Sequence, residues 1–327
     1  MQGSKFLRWL ASIFLFTAGG FLLAAPALAD YPDRPIKLVV AYPAGGATDV
    51  TARAVAQRLS ERLKQAVVVE NRAGAAGMIG TDYVAKAAPD GYTLMFTAAD
   101  THSINPHVYP KITYDARKDF TPIAQVGYLP IALIVSPQLQ AKNVAEFIAL
   151  ARKSPGKMSY ASFGVGSSGH VAMEMLNIQS KIELLHVPYQ GAAPAIAAVM
   201  AGQVDAMMVP LVLAVPNDAA GKVRLLGAAT PTRFAGAPNA PTFAEQGIPL
   251  NSAPWVGIVA PARVPQDIVE KLNRELNAAL QDPQVRETLI KNGLDPATSS
   301  QPAFRALLEA EYERWGKTIT TANIKAN

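Results

Sequence analysis

IKLVVAYPAGGATDVTARAVAQRLSERLK, residues 36–64, decides the architecture. Its first seven residues are almost wholly apolar, as in a strand covered on both faces. Its last sixteen place Val55, Leu59 and Leu63 at i, i+4 and i+8, on one helical face. PAGGATD, residues 43–49, turns the strand into the helix. Gly45 and Gly46 free the turn; Ala44 precedes them, and Ala47, Thr48 and Asp49 open the helix. A helix start leaves backbone N–H groups unpaired and carries a partial positive charge. Glycine lets such a backbone approach a ligand closely. Thr48 suits a cap or a ligand donor. Asp49 suits the helix start but would repel an anion, so it reads first as a brace for the loop. No lysine follows the glycines, so Walker A is not matched.

The same grammar recurs at FGVGSSGH, residues 163–170, after the short apolar run MSYAS that ends at Ser162. Gly164, Gly166 and Gly169 spell G-x-G-x-x-G, and Glu183 lies near the distance of a ribose-binding acid. A dinucleotide site is therefore a real alternative. Against it, Glu183 begins its strand instead of ending it, the unit lies mid-chain, and the chain carries an export signal. A nucleophile elbow fails on spacing, because the serines Ser167 and Ser168 sit in a G-S-S-G run, one residue short of G-x-S-x-G. What remains is a flexible loop with two hydroxyls and several N–H donors aimed at an anion. Two such turns suggest one anion held between two lobes.

Strand-like and helix-like segments alternate along the rest of the chain. Strands are expected at 67–70, 92–98, 158–162, 183–189, 204–210 and 223–229. Helices are expected at 78–87, 144–154, 170–178 and 193–202, and then at 266–281, 283–292 and 301–315. In the last of these, Phe304, Leu307, Leu308, Glu311, Tyr312 and Trp315 share one mostly apolar face. Near-continuous apolar strands alternating with helices predict parallel sheets in a doubly wound α/β architecture, with ligands at the C-terminal strand ends. Two extended, proline-bounded runs, 121–137 and 253–265, read as crossings between lobes. They divide the chain into residues 30–127 plus 253–327 as one lobe and 128–252 as the other.

The N-terminus reads as a signal peptide. Lys5 and Arg8 precede an apolar run over 10–25, and Ala27-Leu28-Ala29 fits the small-residue cleavage pattern, so cleavage after Ala29 is expected. That run is shorter than the roughly 20 residues of a spanning helix. Loss of two basic and no acidic residues takes the formal charge from +5 to +3, too little to imply nucleic acid. There is no cysteine, which excludes disulfides, a cysteine nucleophile, a thiolate metal site and a lipid-modified cysteine. A soluble exported protein of two domains is expected.

The histidines His102, His107, His170 and His186 form no recognised metal spacing. His170 opens a helix beside the second glycine loop, where it either touches ligand or braces the loop. HVPYQG, residues 186–191, is a third candidate rim element, with Tyr189 as a pocket or core aromatic. Trp255 on the return crossing either closes over ligand or packs the hinge. Met173, Met175, Met207 and Met208 read as core. No paired acid and base or nucleophile set appears, so no enzymatic activity is expected, and no cofactor or metal.

Taken together the chain resembles the substrate receptors of tripartite tricarboxylate transporters, the Bug-type periplasmic binding proteins. The resemblance runs through YPDRPIKLVVAYPAGGATD, NRAGAAGMIGTDYVAKAAPDGYTL, INPHVYPKITYDARKDFTPIAQVG, FGVGSSGH, HVPYQGAAPA, GQVDAMM and WVGIVAPARVP to the terminal EYERWGKTITTANIKAN. It implies a type II periplasmic-binding-protein fold, two α/β lobes joined by two crossing strands. It also implies a non-catalytic, monomeric receptor that delivers a small carboxylate to a membrane permease; a sensing role with a signalling partner is the alternative. In such families the loops matching 44–49 and 162–168 grip a carboxylate through backbone N–H groups and bridging water. The strand end at 97–101, with Thr97, Asp100 and Thr101, and the region of Tyr189 and Asp205 would shape the rest. Two departures stand out. Gln190 replaces a frequent lysine, and Asp100 adds an acid near a presumed carboxylate site.

Overall fold

The computed structural model describes residues 31–326; the expected leader and its cleavage after Ala29 lie outside them. From Arg34 onward the chain forms one compact unit built on two sheets. Its strands are β1 (Ile36–Val40), β2 (Val67–Asn71), β3 (Thr93–Ala98), β4 (Phe120–Tyr128), β5 (Ile131–Val135), β6 (Ser159–Ser162), β7 (Leu185–Pro188), β8 (Ala206–Pro210), β9 (Arg224–Ala228), β10 (Trp255–Pro261) and β11 (Asp295–Pro296). The first sheet has the order β11-β4-β10-β3-β1-β2 and the second β7-β6-β8-β5-β9.

The apolar runs form central strands because both of their faces are covered. Ile36, Leu38, Val39 and Val40 of β1 are fully buried, as are all of Ala132, Leu133, Ile134 and Val135 in β5. Each such Val, Leu or Ile side chain contributes roughly 1.5–3 kcal/mol when wholly removed from water.

Both sheets are mixed, which corrects the expectation of parallel ones. β1 pairs in parallel with β2 and β3, and β6 with β7 and β8. β10 is antiparallel to β3 and β4, and β5 is antiparallel to β8 and β9. The reversed strands β5 and β10 are the first strands after each crossing; the two-residue β11 is also reversed, antiparallel to β4 at the edge of the first sheet. A chain that leaves one sheet at the edge where its strands end enters the other sheet at the matching edge, and so runs backwards there. The outward crossing is only residues 129–130. It is tied to the return by the Leu129 N–H, which donates to the Pro254 carbonyl at 2.8 Å.

The helices are α1 (Ala47–Leu63), α2 (Met78–Ala85), α3 (Asn105–Val108), α4 (Val144–Lys153), α5 (Ser168–Ser180), α6 (Ala192–Met200), α7 (Leu211–Ala219), α8 (Gln266–Leu280), α9 (Pro283–Lys291) and α10 (Gln301–Thr321). α1 buries Ala52, Val55, Ala56 and Leu59 on the face read from the sequence. α7 has no counterpart in that reading, because Pro216 interrupts its helical pattern. α10 runs six residues beyond its expected end. It also departs from the expected division of lobes. Phe304 near its start joins the core beside Trp255 and Val39, while Trp315 and Ile319 join the core of Leu133, Phe147 and Leu176 under the second sheet. This one helix therefore packs against both halves.

Candidate functional site

A cleft of about 460 Å³ opens where strands of both sheets end. One wall comes from the first sheet. Ala41, Tyr42 and Pro43 follow β1, Ala73, Gly74, Ala76 and Gly77 follow β2, and Asp100 and Asn105 follow β3. The facing wall is the glycine loop after β6, from Phe163 to Ser167. Tyr109 completes the lining. A roomier groove of about 630 Å³ lies over 112–118 and α10. It is framed by ion pairs of Arg117 with Glu309 and Glu313 and draws nothing from the strand ends of the second sheet.

The first predicted loop contributes less than expected. Of residues 43–49 only Pro43 reaches the cleft; Ala44, Gly45 and Gly46 are exposed outside its wall and Thr48 is half-buried. Of Ala47, only its place at the head of α1 is described. Asp49 is the brace. Its carboxylate accepts from the Gly45 N–H at 2.9 Å, Arg53 Nε at 3.0 Å and Asn71 Nδ2 at 2.9 Å. The Arg53 guanidinium, aided by those neutral donors, holds its pKa down at about 2. Arg53, the cation next to this loop, is thereby spent within it.

A third glycine turn takes the place on the wall that was assigned to the first. RAGAAG, residues 72–77, follows β2 and leads into α2. Gly74, Ala75, Ala76 and Gly77 all have positive φ. Gly77 is required, because a Cβ there would stand 2.8 Å from Thr101 Cγ2. Asn105 Nδ2 fixes the turn by donating to the Ala76 carbonyl at 2.9 Å. This turn carries the same strand–glycine–helix signal as the other two, and that signal was present in the sequence. Tyr42, Asn105 and Tyr109 carry no such signal.

The second predicted loop does line the cleft, through Gly164, Gly166 and Ser167. Its internal bonding leaves fewer free donors than expected. The Gly166 N–H donates to His170 Nδ1 at 3.1 Å, the Ser167 N–H donates to the Gly164 carbonyl, and Ser167 Oγ caps α5 by accepting the His170 N–H. Ser162 is buried behind the loop, its hydroxyl 2.7 Å from His186 Nε2. His170 and His186 stack at 3.8 Å. Burial, and for His170 the neighbouring His186, push their pKa values down to about 3 and about 4. Both rings are neutral braces at neutral pH.

Four expected pocket residues stand elsewhere. Thr97 and Thr101 are wholly buried and turn their hydroxyls onto His102 Nδ1, at 2.9 and 3.0 Å. They back the wall without forming it. Asp205 precedes β8, so it lies at the opposite end of the parallel strands. There its carboxylate accepts from the Ser159 N–H and hydroxyl. Tyr189 is half-buried beside the core of the second sheet, its N–H donating to the Ser162 carbonyl, and does not line the cleft. Trp255 begins β10 and does not line the cleft; it is buried against His102 and Phe304 with Nε1 donating to Ser103 Oγ. Glu183 also lies at the far end of its strand, where its carbonyl accepts the Gly156 N–H. That removes the acid on which a dinucleotide reading depends.

Asp100 does face the cleft. Among the described lining residues there is no lysine, arginine or histidine, and Asp100 is the sole carboxylate. Burial raises its pKa, opposed by its own N–H, the Ser168 N–H from the opposite wall and Tyr42. The Tyr42 hydroxyl is shielded from solvent beside Asp100 and makes no well-formed hydrogen bond. Asp100 exerts the strongest charge effect on it, which together with burial raises the phenol well above its usual range.

Residues 51–324 match the family described as the tripartite tricarboxylate transporter family receptor. The chain belongs to this family. Protein BugT of Bordetella pertussis is 34% identical to the receptor over 316 residues, covering 96% of each chain. An R. palustris protein solved with adipate shares 35% identity with a TM-score of 0.77, over 91% of the receptor and 100% of that chain. MatC from Rhodopseudomonas palustris, solved with bound malate, shares 33% with a TM-score of 0.71, over 88% and 100%. The family and these neighbours are solute-binding receptors, not enzymes, and the receptor's two-sheet α/β architecture is theirs.

Proposed function

We propose that the receptor captures a small carboxylate in the cleft between its sheets and delivers it to a membrane permease of the tripartite tricarboxylate type. The observation that carries this reading is the construction of the cleft. Strand–glycine–helix turns from both halves converge on one space, at 74–77 and 163–167, with no cationic side chain in the lining. An anion held there is held by backbone N–H groups at helix starts. Charge-assisted hydrogen bonds contribute roughly 1.5–3 kcal/mol each, and micromolar affinity needs about 8 kcal/mol. A few such bonds with apolar contacts from Phe163, Val165 and Tyr109 supply that range. The bound adipate and malate of the two neighbours support the ligand class.

The receptor is proposed to act as a monomer in the periplasm, after removal of residues 1–29. The family supports this placement, and no helix among the described residues is long and apolar enough to cross a membrane. A thermal-shift screen of mono-, di- and tricarboxylates, with hits titrated calorimetrically, tests the reading. Saturable stabilisation by at least one carboxylate is expected. No shift by any of them, alongside stabilisation by a nucleotide or sugar, would overturn it.

A further inference from the structure

The cleft contains one carboxylate, Asp100, and no side chain of opposite charge. The nearby cations are already committed, Arg53 to Asp49 and Arg72 to Glu70 and the Tyr83 ring. Asp100 is also fixed in place. It opens the π-helical turn Asp100–Ile104 after β3 and stands near the start of α5, where the Ser168 N–H on the facing wall favours its charged form. The protein's own acid therefore lies beside the anion position at the head of α5. A ligand carboxylate is left the other helix start, at the 74–77 turn, where Asn105 holds the backbone.

A half-buried carboxylate without a cation is costly, and a second anion beside it is worse. A cation brought by the ligand relieves both. Tyr42 points the same way. Its hydroxyl lies on the same wall beside Asp100, shielded from solvent and without a well-formed hydrogen bond. Buried hydroxyls are rarely left without a partner, and each that is asks what fills the gap. A ligand group with several N–H donors fits both oxygens at once.

Resting on the reading of the cleft as a carboxylate site, we propose that Asp100, with Tyr42, selects a zwitterion. The ligand places a protonated amine on the Asp100 carboxylate and the Tyr42 hydroxyl, and its carboxylate at the 74–77 turn. The receptor's preferred class is then the amino-substituted carboxylates, and plain dicarboxylates are poor ligands because they add like charge to Asp100.

The test is calorimetric titration of the mature receptor with matched pairs that differ only in the amine. Suitable pairs are aspartate and succinate, glutamate and glutarate, 4-aminobutyrate and butyrate, and 6-aminohexanoate and hexanoate. At least one amino member is expected to bind tenfold or more tightly than its amine-free partner. Asp100→Asn should reduce that ratio at least tenfold, and Tyr42→Phe, which removes only the hydroxyl, should reduce it several-fold with the melting temperature kept. Equal or tighter binding of the amine-free members, or a ratio unchanged in both variants, would overturn the selection while leaving the carboxylate receptor standing. Failure of every carboxylate, amino or plain, would remove the receptor reading and this inference with it.

Discussion

His170 Nδ1 accepts the backbone N–H of Gly166 at 3.1 Å. That bond fixes the imidazole as the tautomer protonated on Nε2 and ties the second glycine loop to the helix it precedes. The loop that faces the cleft is thus preorganised by a ring that does not line it. His170→Ala frees the loop and leaves the Gly166 amide without its partner. With one hydrogen bond of about 1 kcal/mol lost, ligand affinity is expected to fall about five- to tenfold. His170→Asn, which retains an acceptor, should recover part of it. Calorimetry on the three proteins checks this; equal affinities would show that the bond does not set the loop.

The glycines of the two loops are not equivalent. Gly166 has φ +73° and a Cβ there would meet Val108 Cγ1 at 2.7 Å. Gly46 has ordinary backbone geometry and its nearest neighbour would be the Pro43 carbonyl at 3.6 Å. Gly166→Val should therefore weaken binding by tenfold or more and lower the melting temperature, since a branched residue at positive φ costs at least roughly 1–2 kcal/mol. Gly46→Ala should change either by little. Indifference of both affinity and melting temperature to Gly166→Val would contradict the assignment of this loop to the wall.

Acid should destabilise the receptor in a defined window. Burial holds His102 and His170 at about 3 and His186 at about 4, against about 6.5 in the unfolded chain. Above that value neither state is protonated, and the folded state is at full stability. As the pH falls below it, the unfolded chain takes up protons that the folded rings refuse. Stability then declines, by up to about 1.4 kcal/mol per pH unit for each ring. The melting temperature should be level from pH 8 to 7 and fall steadily from 6.5 to 5. A flat curve through that range would show that the rings titrate normally.

Asp49 should matter for stability more than its distance from the cleft suggests. Its carboxylate gathers Gly45, Arg53 and Asn71. Asp49→Ala is expected to cost about 1–2 kcal/mol, discounted for the exposed Arg53, read as a shift in the urea midpoint. Its folded pKa of about 2 lies below the usual value of about 3.9. The contribution is therefore full above about pH 4 and is lost as the pH drops toward 2. Unfolding midpoints that coincide for the wild type and Asp49→Ala at pH 7 would refute the bracing role.

The alternating apolar runs and the 3.6-residue pattern of 49–64 made the two-lobe α/β architecture legible from residues alone. The reversal of β5 and β10 was not, because pairing direction depends on where a crossing chain re-enters a sheet, and no local pattern records that. The loop at 163–168 was legible as a wall for the same reason that 72–77 should have been, glycines between a strand and a helix. Thr97, Thr101 and Asp205 misled because position near a strand end does not say which way a hydroxyl turns or at which edge of a sheet a residue stands. Thr97 and Thr101 spend their hydroxyls on His102, a partner whose position only the packed core reveals.

Native mass spectrometry of the mature receptor with a carboxylate hit tests the central claim most directly, with Gly166→Val beside it. The account predicts one carboxylate per chain, retained by the wild type and lost or much reduced in the variant. A retained mass of nucleotide size, or equal retention of the carboxylate by both proteins, would contradict it.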